Sequence, residues 1–483
     1  MSVAELQERI RQLEEQLRER DARIEAQAAR IRELEKQLEE VKKLFAEQAA
    51  SKESKRPKEA MNYSVDRHER KQRKKGRRRK STGRKPKDAK RHQATKTFDV
   101  YWPGARRRQC VLRREQFVWR LIEGKAVYVC YRIFDKPDST ELPSIKGVRN
   151  SRCEYGIEIL VTLAFLVYWI GVSIDKACAI LSFFTGLELS KSQADSLLFQ
   201  LAADWEEEYD AIAELIAVAA ILYIDETGWK VGKRSCYSWI FSTLSTVLYK
   251  CGVGRGKEVL EEVLGETFRG IGVTDDYSAY HSQFTLHQLC WAHLLRKAIA
   301  LALRNPENPQ YARFLKSLFA IYRRAVRIAR DRRFSMGRAA RVKQLQTQIR
   351  RLCRRAGETT NDETPADEKK FVLLQNELVN NVEKLFVFVL HPEVEATNNR
   401  SERQARSEAM ARHTARTSKT DRGARRRGIL MSVLASLSKR LKPFTLSNLL
   451  AEIDRWLQAG RSVFQQELAD LYHATGPPSP ECP

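Results

Sequence analysis

Two acidic positions in the middle of this chain have the setting that metal-dependent chemistry needs. Residues 219–230 read AAILYIDETGWK, an apolar run that Asp225 ends. Residues 270–277 read GIGVTDDY, a second apolar run ending in acids. The first half of the former is apolar on both faces, the pattern of a strand inside a sheet. A two-residue period then puts Asp225, Thr227 and Trp229 on one face and Glu226 on the other, so Asp225 and Glu226 do not easily serve one site. Two strands that each end in a carboxylate can set those carboxylates side by side. With a third acid, a later Glu, they would hold two Mg²⁺ ions about 4 Å apart, an arrangement that stabilises the attacking and leaving oxygens of phosphoryl transfer. Asp225 would bridge both ions, and Mn²⁺ is an alternative.

The elements around these acids follow from periodicity. Residues 236–243 and 246–251 read as the next two strands, antiparallel and tightly joined. Residues 257–268 read as an amphipathic helix, and 288–291 as a fifth strand. Three adjacent strands, a helix and a further strand match the order of an RNase H-like α/β core. Upstream, 157–170 and 174–184 read as helices separated by a turn at Gly171, Val172 and Ser173. Gly186 breaks the chain, and Ser190 with Gln193 forms a capping box for a third helix toward Trp205. Such a block is either helix-turn-helix-like or a structural bundle. The apolar stretch 159–173 is too short to span a bilayer comfortably and reads as a buried helix. Residues 294–396 form a long helical insertion, with 18 Lys and Arg between 296 and 355. There Tyr311, Phe314, Leu315, Leu318 and Tyr322 trace one apolar face. The basic residues take the other, facing either solvent or DNA.

The first hundred residues are of a different kind. Val3, Ile10, Leu17, Ile24, Ile31, Leu38 and Phe45 fill one heptad position, and Leu6, Leu13, Leu34 and Val41 fill the other. This seam predicts a parallel two-stranded coiled coil over 1–50, hence a homodimer or higher oligomer. Residues 51–95 read as a basic, disordered linker. From 67 to 92 there are 15 Lys and Arg against two acids, and Arg77, Arg78, Arg79 and Lys80 are candidate DNA-phosphate contacts. Strands are expected over 96–150, the helical block over 151–215, the catalytic domain over 216–440 and a helical tail over 441–483. The fold class is therefore α+β, mostly α. A net charge of +26, from 87 Lys and Arg against 61 Asp and Glu, calls for a polyanionic partner, double-stranded DNA before an anionic membrane. Nine scattered cysteines without a CxxC pair argue against a disulfide framework and for a reducing, cytoplasmic compartment.

Four motifs in order, YIDETGW (223–229), VTDDYSAY (273–280), HQLCWAHLLRK (287–297) and TNNRSERQAR (397–406), resemble the transposases of the insertion sequence 66 group. RTSKTDRGARRRGILMSVLASL (416–437) looks like the C-terminal portion of that family. The resemblance covers most of the chain. It implies a DDE-type enzyme that cleaves transposon ends and joins the freed 3′-OH to target DNA, nucleoid-associated, with accessory proteins as candidate partners. It implies metal ligation by Asp225, Asp275 and Glu402. Asp276 stands where the family usually has Gly, so Asp275 and Asp276 compete for the second position, with Asp275 the one that aligns.

Family members commonly carry a zinc-ribbon-like pair of CxxC motifs before the helical block. Here only isolated Cys110, Cys130 and Cys153 stand there, so no zinc is expected. Thr397 to Asn399 should cap the helix that bears Glu402. Asn399, Arg403 and Arg406 would line the DNA, with Arg406 either on a phosphate or in an intrahelical pair with Glu402. His287, Cys290 and His293 leave three readings open: a zinc cluster, an active-site His293, or buried structural histidines. Two alternatives to an active enzyme are a non-catalytic, sequence-specific DNA-binding regulator and an inactive transposase relic.

Overall fold

A computed structural model describes residues 87–475, apart from 138, 359, 360, 362, 363 and 415. The expected coiled coil and the basic cluster Arg77, Arg78, Arg79 and Lys80 lie outside the described residues. Where description begins, the expected disordered linker is already folded: α1 (Lys87–Gln93) is helical. Arg91 pairs with Glu115 at 2.6 Å and Lys90 with Glu154 at 2.9 Å, which ties this basic turn to the strands beyond it.

The protein is mixed α/β with two sheets. The small one holds β1 (Lys96–Val100), β2 (Val111–Ile122) and β3 (Lys125–Asp135) in the order β1-β3-β2. The region expected to hold strands does so, and β2 pairs with β3 along its length across a bulge between Leu112 and Arg114.

The helical block follows the expected punctuation. α2 (Ile157–Ala164) continues as a wider π-turn to Ile170 and stops at Gly171, whose φ of 80° suits glycine. In α3 (Ile174–Thr185) Ser173 accepts from the Lys176 N–H, and α4 (Lys191–Asp204) has the complete Ser190–Gln193 capping box. α5 (Glu206–Ala217) leads into the larger sheet. Ile159, Leu160, Val161, Leu163 and Ala164 are all fully buried, as expected of a core helix. Among the described residues no helix is long and apolar enough to cross a membrane.

The larger sheet contains β4 (Ile221–Val231), β5 (Arg234–Ser242) and β6 (Val247–Val253), then α6 (Glu258–Leu264), then β7 (Phe268–Thr274) and β8 (Phe284–Leu289), in the order β6-β5-β4-β7-β8. Neighbours are antiparallel on the β6-β5-β4 side and parallel from β4 through β7 to β8. α6 is shorter than the 257–268 helix expected, because Gly265 ends it with φ 77° and Phe268 already belongs to β7.

Both faces of this sheet are covered. Leu222 and Ile224 face a core built with the helical block, whereas Tyr223, Ile271, Val273 and Leu289 face a second core. The second core comes from the insertion: α7 (Trp291–Arg304), α8 (Pro309–Arg330), α9 (Arg338–Leu352), α10 (Ala366–Asn380) and α11 (Val387–Leu390). The chain then returns along β4 as α12 (Asn399–His413) and packs α13 (Asp421–Arg440) on the edge strand β6. α14 (Leu446–Ala459) and α15 (Val463–Thr475) follow. These last helices are not a loose tail, since Leu449, Ile453, Trp456 and Phe464 are buried in the first core.

Candidate active site

The sheet places the two aspartates through register. The last paired residues of β4 and β7 are Tyr223 and Val273, so Asp225 and Asp275 lie two residues beyond that pair on parallel neighbours. Asp225 does not end its strand, as the sequence suggested. β4 continues to Val231 because β5 pairs with it throughout. What ends at Tyr223 is the pairing with β7, and the site opens there.

Glu402 arrives on the first turn of α12. Asn398, the residue before that helix, does not cap it with its side chain. Its Nδ2 instead donates to the Ile224 carbonyl at 2.6 Å, and its Oδ1 accepts from the Ser401 hydroxyl at 2.5 Å. Its backbone N–H meets the Cys290 sulfur at 3.1 Å, and the Cys290 N–H donates to the Thr274 carbonyl at 2.8 Å. Four segments remote in sequence are thus knotted beside the carboxylates: β4 next to Asp225, the end of β7 next to Asp275, and the starts of α7 and α12.

Electrostatics register the convergence. The Asp225 carboxyl is pushed up to about 8, first by burial and then by the charges of Glu226, Asp275 and Glu402. Close carboxylates in a poorly solvated place resist full ionisation unless a cation joins them. An all-oxygen donor set strained in this way fits a hard divalent ion.

The neighbouring acids are engaged elsewhere. Glu226 pairs with Arg255 at 2.8 Å and accepts from the Tyr280 hydroxyl at 2.5 Å. Asp276 meets His281 at 2.8 Å and accepts from Asn381 Nδ2 at 3.0 Å. Asp275 accepts the Tyr277 N–H at 3.2 Å, a turn that fixes the loop after β7.

Glu402 is held by Arg296, whose Nη2 lies 2.6 and 2.8 Å from its two oxygens. The intrahelical Glu402–Arg406 alternative is not what forms. Arg403, Arg406 and Asn399 are exposed, and among the described residues neither arginine has an acidic partner within ion-pair distance. Around α12 the charge is positive. Burial first, then Arg400, Arg403 and Arg440, push Lys439 down to about 8. On the strand side Arg412 Nη1 donates to the Thr227 hydroxyl at 3.3 Å and the Gly228 carbonyl at 3.2 Å.

The His287, Cys290 and His293 group divides. His287 is buried, bonds the Thr274 hydroxyl at 2.8 Å and is pushed down to about 3 by burial, so it is a neutral structural histidine. Cys290 and His293 instead face Glu402, at 3.8 and 3.6 Å from its Oε1. Sequence reading missed Arg296 and the tethering role of Asn398. The signal for the first was helical spacing, because His293 and Arg296 are three apart at the start of α7 and share a face.

Compared with known proteins, the chain matches the family model described as Transposase IS66 family over residues 152–426. No curated protein matches it.

Proposed function

The chain belongs to the IS66 family of transposases, and from that premise we propose that it is a DDE-type enzyme that cleaves transposon ends and transfers the 3′-OH strand into target DNA. The observation that carries this reading is the electrostatic convergence of Asp225, Asp275 and Glu402 at the point where β4 and β7 part. We read the β6-β5-β4-β7-β8 sheet as an RNase H-like core, since its three antiparallel strands followed by two parallel ones have that order. Asp225 would hold both of two Mg²⁺ or Mn²⁺ ions, with Asp275 completing one position and Glu402 the other. Bound there, the ions supply Lewis-acid stabilisation of the attacking and leaving oxygens.

The side chains set up the rest. Asn398 fixes the start of α12 against β4 and so fixes the reach of Glu402. Arg296 neutralises Glu402 while no cation does. Released from it, the guanidinium is placed to hold a DNA phosphate near the reacting bond. Arg403 and Arg406, with Asn399, lie on the exposed side of α12, where a DNA backbone would meet positive charge. The helical block and the basic residues of the insertion are further candidates for DNA contact. Such an enzyme works on double-stranded DNA at the nucleoid, as a dimer or larger assembly through residues 1–50.

The test is cleavage of a duplex carrying the element's own terminal repeat. Asp225→Asn, Asp275→Asn and Glu402→Gln should each abolish Mg²⁺-dependent nicking while binding of the same duplex survives. Because the three act as a unit, a double variant should be little worse than a single one. Undiminished cleavage by any of the three would overturn the assignment.

A further inference from the structure

Beside the oxygen donors the protein gathers a second, chemically different set. A Cys290 sulfur, a His293 ring nitrogen and a Glu402 oxygen lie within 4.8 Å of one another. Thiol and imidazole add little to a Mg²⁺ position, because that ion takes oxygen ligands and keeps water. Sulfur, nitrogen and carboxylate on one side is the donor set of zinc-class ions, three protein ligands leaving room for a fourth, exchangeable one.

Two details point to a ligand. His293 Nδ1 is shut away from solvent and makes no hydrogen bond, although Glu402 Oε1 is only 3.6 Å off. An orphaned polar atom of that kind is costly, and a bound cation would satisfy it. Cys290 is fixed in place, its backbone N–H on the Thr274 carbonyl and its sulfur receiving the Asn398 N–H. The two side chains stand one turn apart at the start of α7, so a single rigid helix end presents both.

We propose that Cys290, His293 and Glu402 form a binding site for a thiophilic divalent cation of the zinc class, and that its occupation withdraws Glu402 from the Mg²⁺-dependent reaction. The inhibitory part rests on the reading of Glu402 given above; the binding part does not. Such an ion must displace Arg296 from Glu402, and Arg296 can leave because its side chain is 54% exposed. N, S and O donors together favour Zn²⁺ over Mg²⁺ by affinity, so micromolar zinc should outcompete millimolar magnesium here.

Co²⁺ serves as the probe, since a cobalt–thiolate bond gives a near-ultraviolet charge-transfer band. Full-length, metal-free protein titrated with Co²⁺ should develop the band to one equivalent, and Zn²⁺ should bleach it. Cys290→Ser should lose the band, and His293→Gln should weaken Co²⁺ binding, both in variants whose thermal melts show a folded protein. Asp225→Asn should keep the band, which separates this site from the proposed catalytic one. Zn²⁺ should inhibit Mg²⁺-dependent cleavage by the native protein and much less by Cys290→Ser. A band absent from the native protein, or one that survives Cys290→Ser, overturns the binding site. A band with zinc-insensitive cleavage overturns the inhibition. A band present while Glu402→Gln still cleaves would leave the site standing and sink the catalytic reading of Glu402.

Discussion

At Asp225 the fold buries an acid that packing alone would not choose. Its carboxyl is raised to about 8 against an ordinary 3.8, so the folded protein prefers it protonated. By linkage, the stability this contributes is fully present below the unfolded pKa and is lost as pH rises through the folded one. In chelator, the thermal midpoint of the native protein should therefore fall between about pH 4 and pH 8. Asp225→Asn should flatten that fall and sit a few degrees higher at pH 8. Added Mg²⁺ should restore the native protein and leave the variant unmoved. A variant with the same pH slope in chelator would show that Asp225 is not the strained group.

Arg296 gives a second prediction at this scale. Arg296→Gln removes the cation on Glu402. It should weaken cleavage more than Mg²⁺ binding if the guanidinium later serves a phosphate, because a group that stabilises the transition state acts on kcat. Single-turnover cleavage across a Mg²⁺ series checks this. A defect fully rescued by excess Mg²⁺ would confine Arg296 to holding Glu402.

Among the elements, α12 and α13 are positioned by polar contacts across long sequence distances. Asn398→Ala would strip the donor from the Ile224 carbonyl and the acceptor from Ser401. Loss of such buried bonds costs about 1–3 kcal/mol, and cleavage should fall further than stability because Glu402 loses its anchor. Melting and cleavage measured on one preparation separate the two effects. On the edge strand, Ser432 accepts from the Tyr249 N–H at 2.8 Å and Ser436 from the Val247 N–H at 2.9 Å, so α13 satisfies backbone that an edge leaves open. Gly428 makes that approach possible, since a Cβ there would stand 2.7 Å from the Tyr249 carbonyl. Gly428→Ala should therefore destabilise by about 1–3 kcal/mol, read as a lower thermal midpoint. An unchanged midpoint would mean the helix can shift without cost.

The strands were legible because apolar runs and tight turns write them locally: β4 through β7 fall close to where alternation put them, and the capping box at Ser190 is where its residues announced it, whereas the strand expected at 288–291 is β8 (Phe284–Leu289), and Trp291 already opens α7. Interruptions were harder. Only partner register shows that β4 outlives its pairing with β7, and Gly265 ended α6 inside a periodic run. Arg296 and Asn398 act on residues about a hundred or more positions away, and no periodicity encodes such a contact.

For the molecule as a whole, the insertion and the C-terminal helices turn a single sheet into a platform covered on both faces, with the carboxylates at the open junction. α14 and α15 share the first core, so removal of residues 441–483 should cost the fold rather than trim it. For the basic stretch 67–92 the proposed role is DNA affinity instead. Its deletion should lower nonspecific binding and flatten the slope of log K against log salt, because fewer counterions are released. An unchanged slope would show that this stretch does not touch phosphate. Deleting residues 1–50 should reduce the mass per particle in sedimentation, and an unchanged mass would exclude the heptad seam as the contact.

The central claim is that Asp225, Asp275 and Glu402 share divalent cations. The most direct measurement is anomalous diffraction from crystals grown with Mn²⁺ and a cleaved terminal duplex. Two manganese peaks about 4 Å apart, both touching Asp225, one completed by Asp275 and the other by Glu402 freed from Arg296, are the predicted result. Peaks that avoid Asp225, or a Glu402 still paired with Arg296 while DNA and Mn²⁺ are bound, would contradict it.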